Sequence, residues 1–381
     1  MTDTARLRRR LADDITGHGL TEPAWRKAVE SVPREEFLPD AVFRQGRDAQ
    51  GMTVYRPLRR HEVPADEWLA MAYSNETWVT QVDGVHAGDA TGPVHGLPTS
   101  SSTLPSLVVR MLEAAGIGDG DQVREIGTGT GYSTAVLCHR LGDDLVTSVE
   151  VDPVLGARAR EALHRLGYAP TLVVGDGLDE RRAGIEFDRI VATCSVRSIP
   201  YPWLWQLRPG GTITTCLSGW MQASGLVHIT VREDGSATGR FTGEETAFML
   251  ARPHQPPPRP TFTIHPGVPR PTGLDPARLW SWTGRFLAQL AAPSAELLGA
   301  DAQVILLDTA TGSQAWTEVD GVGWTVHQRG PLPLWDAVER AFERWEKAGS
   351  PEQDQFGLTV AGEDQRVWIG DPSGPGWSLP S

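Results

Sequence analysis

Cysteine is scarce in this chain: Cys138, Cys194 and Cys216 are all there is, widely spaced and without a C-x-x-C pair. That argues against a disulfide framework or a cysteine-built metal site and fits buried thiols. The ten histidines show no H-x-x-x-H or cysteine-paired spacing, so no metal is expected. Long apolar runs are absent too. Nothing approaches the roughly 18 residues that a membrane span needs, and Met1–Asp14 is polar and Arg-rich with no apolar h-region, so no membrane partner or signal peptide is expected and the expected compartment is the cytoplasm. Positive charge is in deficit, with a formal charge of −13 at pH 7. Nucleic acid is therefore not expected as a partner, because phosphate binding needs a basic footprint. Two arginine clusters (Arg6, Arg8, Arg9 and Arg10; Arg56, Arg59 and Arg60) read as solvated surface.

What is present is the composition of a globular protein, 40% hydrophobic and 22% charged, in a chain of 381 residues that suits two domains better than one. Thr4–Val32 has apolar positions at helical spacing (Leu7, Leu11, Ile15) and predicts an N-terminal helical extension ended by Pro33. Residues 40–100, rich in glycine, proline and polar side chains, predict a long irregular loop. From 105 to 250 short apolar strands alternate with helices. The strands are expected at Gln122–Ile126, Leu145–Glu150, Thr171–Val174, Arg189–Thr193 and Gly211–Cys216, with helices at Leu107–Ala115, Tyr132–Leu141 and Pro153–Leu166. That order predicts a parallel, doubly wound α/β sheet. Prolines crowd His254–Pro271, which predicts a stiff linker at 253–272 between a catalytic domain (1–252) and a C-terminal domain (273–381). The latter reads as a small α+β domain: a helix at 276–291, a strand at Val304–Leu307, a β-rich stretch at Ala315–His327, a helix at Leu334–Ala348 and strands near 358 and 368. It holds eight of the 14 tryptophans, which suits either a packed core or a peptide groove.

The chemistry starts at Glu125-Ile126-Gly127-Thr128-Gly129-Thr130-Gly131-Tyr132, a glycine-rich turn between a predicted strand and a predicted helix. Such a turn lets backbone approach a ligand closely. Taken alone it is a weak signal, shared with dinucleotide sites. Three acidic residues narrow it. Glu125 ends the first strand, where a carboxylate can face a cationic amino-acid or sulfonium group. Glu150, followed by Val151, ends the second at the distance of a ribose-binding acid. Asp176, followed by Gly177, ends the third and can accept from an adenine amino group. No Lys-Ser/Thr of a phosphate loop is present. Acidic groups at three successive strand ends suit S-adenosylmethionine, with S-adenosylhomocysteine as product, better than a dinucleotide.

Further motifs follow in a recognisable order: Val32-Pro33-Arg34-Glu35-Glu36-Phe37-Leu38-Pro39, Pro105 with Val108, Arg110 and Met111, the loop at 125–132, Gly175-Asp176-Gly177, Phe187-Asp188-Arg189-Ile190, Ile199-Pro200 and Leu207-Arg208-Pro209-Gly210-Gly211. Over roughly residues 20 to 250 the chain resembles the protein-L-isoaspartate O-methyltransferases. The resemblance implies a Rossmann-like class I S-adenosylmethionine-dependent methyltransferase fold with an N-terminal helical extension. It also implies that the hydroxyl two positions before Pro105, here Thr103 within Thr99-Ser100-Ser101-Ser102-Thr103, holds the substrate carboxylate, with Ser101 and Ser102 as neighbouring candidates. A helix N-cap is the alternative role for Thr103. The chain departs from the family in having Thr103 where serine is usual and Cys194-Ser195-Val196-Arg197-Ser198 before Ile199-Pro200. Arg197, with Ser195 and Cys194, is a candidate substrate contact; a structural ion pair is the alternative.

Residues 273–381 go beyond the usual single domain of that family, and the extended architecture is similar to the methyltransferases of graspetide pathways. That similarity implies esterification of an aspartate side chain in a ribosomally made peptide already crosslinked by an ATP-grasp ligase, collapsing to an aspartimide. The modified precursor peptide and its ligase are the partners implied. Two alternatives stand beside it: L-isoaspartyl repair, and a retired methyltransferase fold that binds peptide without catalysis.

Overall fold

The computed structural model describes residues 3–179, 186–259, 262–301, 303–321 and 323–380. The chain splits into two compact units, one of Met1–Thr193 with Trp205–Thr214, the other of Cys194–Leu204 with Thr215–Ser381. Strands Phe187–Val196 and Leu207–Ser218 each begin in the first and end in the second.

The first unit contains the expected parallel sheet, in the order Thr171–Val174, Val146–Glu150, Val123–Ile126, Phe187–Val196. The central strands are buried along their whole length although they carry polar side chains, Arg124 and Glu125 in the first and Thr147, Ser148 and Glu150 in the second. Helices Tyr132–Leu141 and Pro153–Arg165 follow the first two strands in sequence. The second is started by Asp152, whose Oδ1 accepts from the amides of Val154 (2.9 Å) and Leu155 (3.2 Å), with Pro153 at the first helical position. The N-terminal extension is two packed helices, Thr4–Gly17 and Pro23–Ser31, rather than one continuous run. The chain turns between them at Gly19, whose φ of 99° suits glycine alone.

Residues 40–100 correct the sequence reading. They form a second, antiparallel sheet of strands Ala41–Arg47, Thr53–Arg59, Trp78–Val82, Val85–His86 and Pro98–Ser102, with a helix at Ala65–Ala72. Its core is Ala41, Phe43, Tyr55, Val82, Ala87 and Ala90. The apolar residues come singly from separated segments, so no local window carries a strong period, and cross-strand packing supplies the order.

The second unit has no break at the proline-rich stretch 253–272. Ala237–Phe241 pairs antiparallel with Phe356–Ala361, which pairs with Asp364–Ile369 and then Gly376–Ser378. Residues on both sides of the expected linker thus share one set of strands. Val268–Thr272, within that linker, is itself a strand paired with Gly323–Arg329, at the edge of a five-stranded antiparallel sheet; Pro260 lies outside the described residues. Proline at a sheet edge loses no ladder bond, so Pro269 and Pro271 are tolerated there. Helices Trp282–Ala291 and Leu334–Lys347 complete the α+β character that the sequence predicts, the former preceded by a 3-10 turn at Pro276–Trp280. The eight C-terminal tryptophans are buried or half-buried, Trp335 completely.

Candidate active site

The glycine turn needs its glycines. Gly127, Gly129 and Gly131 have φ of 96°, 55° and 91°. A Cβ at Gly131 would lie 3.2 Å from Ala159 Cβ, and one at Gly127 would lie 2.8 Å from Thr193 Oγ1. Gly129 differs: a Cβ there would meet only the Ser101 carbonyl, at 3.8 Å, so this glycine faces open space beside the hydroxyl-rich strand. The Gly127 amide donates to Val149 O at 2.8 Å and that of Gly131 to Thr128 O at 2.9 Å, while Thr128 Oγ1 pairs with Ser148 Oγ at 2.6 Å. Thr130 is half-buried beside Gly129. Tyr132 points inward, buried against Phe37 (ring centroids 6.1 Å apart) and the Arg34 guanidinium (5.8 Å), and burial pushes its hydroxyl up to about 12.

The three acids occupy strand ends as expected. Glu125 is wholly buried. Its Oε2 accepts from Thr134 Oγ1 (2.5 Å) and Ser148 Oγ (2.6 Å), and its Oε1 is buried with no hydrogen-bond partner among the described residues. Burial raises its carboxyl above the ordinary range, the neighbouring hydroxyls of Ser133, Ser148 and Thr134 oppose that, and the Glu150 charge adds to it. Glu150 Oε2 accepts from the Gly129 amide at 2.8 Å, and its Oε1 from the Asp152 amide at 3.0 Å. This carboxylate therefore ties the second strand to the turn of the first. Asp176 is half-buried, its Oδ1 accepting from Leu178 N at 3.0 Å. Gly177 is buried where a Cβ would stand 2.6 Å from Ile126 Cγ2. Val151, Val154 and Val174 are exposed apolar groups on these same strand ends and the next helix.

This donor set fits S-adenosylmethionine on an observation that the sequence alone could not supply. A buried carboxylate oxygen without a donor is costly, and a cationic amino-acid group of the cofactor would complete it. Exposed valines beside Glu150 and Asp176 suit an adenine ring. Among the described residues no cluster of three or more His, Cys, Asp or Glu could hold a metal ion, and the three cysteines are free thiols.

The hydroxyl-rich segment forms the strand Pro98–Ser102 and the turn after it. Thr103 does not cap the following helix Pro105–Ala114. Asn75 Oδ1 accepts from Ser106 N and Thr77 Oγ1 from Leu104 N, both at 3.0 Å. The Thr103 hydroxyl is left with Ser101 Oγ, 3.2 Å away. Ser102 is buried, its Oγ accepting from Arg34 Nη2 at 3.3 Å.

Arg34 appears in the sequence motif without a role and has one here. It is fully buried and donates to the carbonyls of Ala72, Ser74, Glu76, Ser102 and Thr103. Burial lowers its pKa to about 10, which leaves it charged at neutral pH. Gln81 was also missed: its Nε2 donates to Asp152 Oδ2 at 2.9 Å and lies 3.3 Å from His86 Nε2, while its Oε1 accepts from Thr99 Oγ1. Beside the loop, a cavity of about 720 Å3 opens on Gly129 and Thr130.

Cys194, Ser195 and Arg197 lie in the second unit. Ser195 Oγ donates to Phe248 O at 2.7 Å, and Cys194 O accepts from Thr215 Oγ1. Arg197 Nη2 donates to Pro293 O at 2.7 Å, and its guanidinium stacks 3.9 Å from the Trp220 ring centroid. Burial lowers its pKa. These contacts give Arg197 a structural place, with no carboxylate partner for an ion pair among the described residues.

Comparison with known proteins agrees with this geometry. The family described as Protein-L-isoaspartate(D-aspartate) O-methyltransferase (PCMT) matches residues 57–248. A "Protein-L-isoaspartate O-methyltransferase 2" of Polaromonas sp. is 31% identical over 196 residues, 51% of this chain and 83% of that protein. A "Protein-L-isoaspartate O-methyltransferase" of Ignicoccus hospitalis is 40% identical over 109 residues, 28% of this chain and 52% of that one, so the match spans about half its length. A solved protein-L-isoaspartate O-methyltransferase has the same fold, with a TM-score of 0.55 at 20% identity, over 96% of this chain and 100% of its own.

Proposed function

The chain belongs to the PCMT family and is an S-adenosylmethionine-dependent protein carboxyl O-methyltransferase; on that premise we propose that it esterifies an aspartate side chain of a ribosomally made peptide. The observation that carries this reading is the Thr103 hydroxyl, relieved of capping by Asn75 and set in the segment whose Ser101 carbonyl borders Gly129. The cofactor, when bound, supplies an electrophilic methyl group. Everything else falls to the chain. A peptide carboxylate with a pKa of about 4 is already anionic at neutral pH, so no strong base is needed. Thr103, with Ser101, donates to one carboxylate oxygen and sets its direction. Glu150 and the turn hold the donor's end of the site. Such alignment is worth roughly 7–11 kcal/mol of barrier.

The finer reading is a peptide crosslinked beforehand by an ATP-grasp ligase, both met in the cytoplasm, whose ester closes to an aspartimide by attack of the next backbone nitrogen, with methanol leaving. A macrocycle is preorganised and costs less entropy to hold than a linear chain. The test is mass spectrometry of purified enzyme with cofactor and crosslinked or linear peptide. Ester mass followed by net loss of one water, from the crosslinked peptide alone, is expected. Equal turnover of a generic isoaspartyl peptide would instead establish repair, the second reading, which the relatives' names favour. No methyl transfer to any peptide would leave only the retired binding fold.

A further inference from the structure

We propose that the cavity of about 720 Å3 beside the cofactor turn binds the peptide stretch flanking the methylated carboxylate, and that it selects an acidic stretch. This rests on the transferase reading above. The cavity touches the turn at Gly129 and Thr130, but Glu125, Glu150 and Asp176 are absent from its wall, so it is a chamber beside the cofactor groups. Its far walls come from the antiparallel sheet of residues 41–102 and from helix Pro153–Arg165. Thr80 in that wall bonds Ser100 at 3.0 Å, so the chamber is continuous with the hydroxyl strand that leads to Thr103.

Its charge stands apart from the rest of the chain. Overall, 48 acidic residues outnumber 35 Lys and Arg. The cavity wall instead balances Arg59, Arg60, Arg158 and Arg165 against Glu35, Glu36, Asp40 and Glu161. Tracing the pairings removes one group of each sign: Arg59 faces Glu62, 3.6 Å away and outside the cavity wall. Glu35 accepts from the Tyr73 hydroxyl and lies 3.9 Å from Arg8, neither of which lines the cavity. Arg60–Asp40 (3.3 Å) and Arg165–Glu36 (3.8 Å) are loose, exposed pairs that a ligand carboxylate can exchange into. Arg158 is exposed and makes no ion pair among the described residues. A guanidinium fork is the group that takes a carboxylate in two-point contact. In a chain of charge −13, an acidic peptide is repelled broadly and met here, which sets register as well as affinity.

The test is titration calorimetry of the full chain with S-adenosylhomocysteine present. The probes are two capped heptapeptides, each with a central aspartyl or isoaspartyl residue before glycine, flanked by glutamates in one and glutamines in the other. At low salt the glutamate peptide is expected to bind about two- to tenfold tighter, a difference that shrinks at about 0.5 M salt. Arg158→Gln should erase much of the difference without changing affinity for the glutamine peptide, and Glu161→Gln should enlarge it. Equal affinities for the two peptides, or a preference untouched by Arg158→Gln with Arg60→Gln, would overturn the proposal. Methyl transfer on the same samples separates the two claims. A binding preference without transfer keeps the cavity and fails the transferase reading; transfer with no preference does the reverse.

Discussion

The Nη2 of Arg34 stands 3.2 Å from the carbonyl oxygen of Thr103, and its Nη1 stands 2.9 Å from that of Ala72. One buried guanidinium thus binds the end of the hydroxyl strand to the loop that carries Asn75 and Thr77, the two residues that cap the next helix. Thr103 is placed by a side chain 69 positions away and by no contact of its own hydroxyl with the helix it precedes.

Removing that guanidinium leaves several buried carbonyls without donors. Arg34→Met is expected to cost about 3 kcal/mol or more of unfolding free energy, since each such group costs about 1–3 kcal/mol. Urea denaturation measures it. Arg34→Lys, a point charge that cannot reach five carbonyls, should keep cofactor affinity while methyl transfer falls; equal loss of both would place the effect on folding.

Thr103→Val removes the hydroxyl without removing a cap. Its stability should stay within about 0.5 kcal/mol of the parent while methyl transfer falls at least tenfold, and Thr103→Ser should retain it. Asn75→Ala is the reverse case, costing about 1 kcal/mol through the lost cap. If Thr103→Val destabilises as much as Asn75→Ala, the hydroxyl is structural after all.

Glu125 makes stability depend on pH. Its folded carboxyl titrates above the ordinary value of 4.5, chiefly through burial. The native state therefore holds a proton that the unfolded chain has released, and its stability declines as pH rises from about that ordinary value through the raised one. Glu125→Gln should remove this dependence, so its stability relative to the parent improves as pH rises above about 4.5. The same change should weaken cofactor binding, because an amide carries no negative charge to meet a cationic amino-acid group. A stability difference constant with pH would contradict the assignment.

Truncation after residue 252 does not release a domain. It strips Phe356–Ala361 from Ala237–Phe241 and exposes Phe241, which packs on Phe286 at 5.4 Å. The truncated protein is expected to aggregate or lose cooperative unfolding, because a bare edge strand beside an uncovered aromatic invites pairing. A soluble, cooperatively folding fragment would restore the boundary at the proline-rich stretch.

By itself the sequence determined the parallel sheet, the glycine turn and its three acids, because each is encoded locally. Short strands alternate with helices, positive-φ turns demand glycine, and strand-end carboxylates follow at set spacing. The tertiary structure alone decided the rest. The sheet of residues 41–102 gathers single apolar residues from distant segments, so no window of sequence shows it. The true helix cap, Asn75, lies 31 positions from the amide it serves, while Thr103 sat where a cap was expected. The proline-rich stretch looked like a boundary because proline stiffens any segment, whether or not contacts cross it. Pairing between Ala237–Phe241 and Phe356–Ala361 is what placed both its flanks in one unit. Hydrogen bonds between remote segments carry no local signature, and here they decide which hydroxyl is left without a helix to cap.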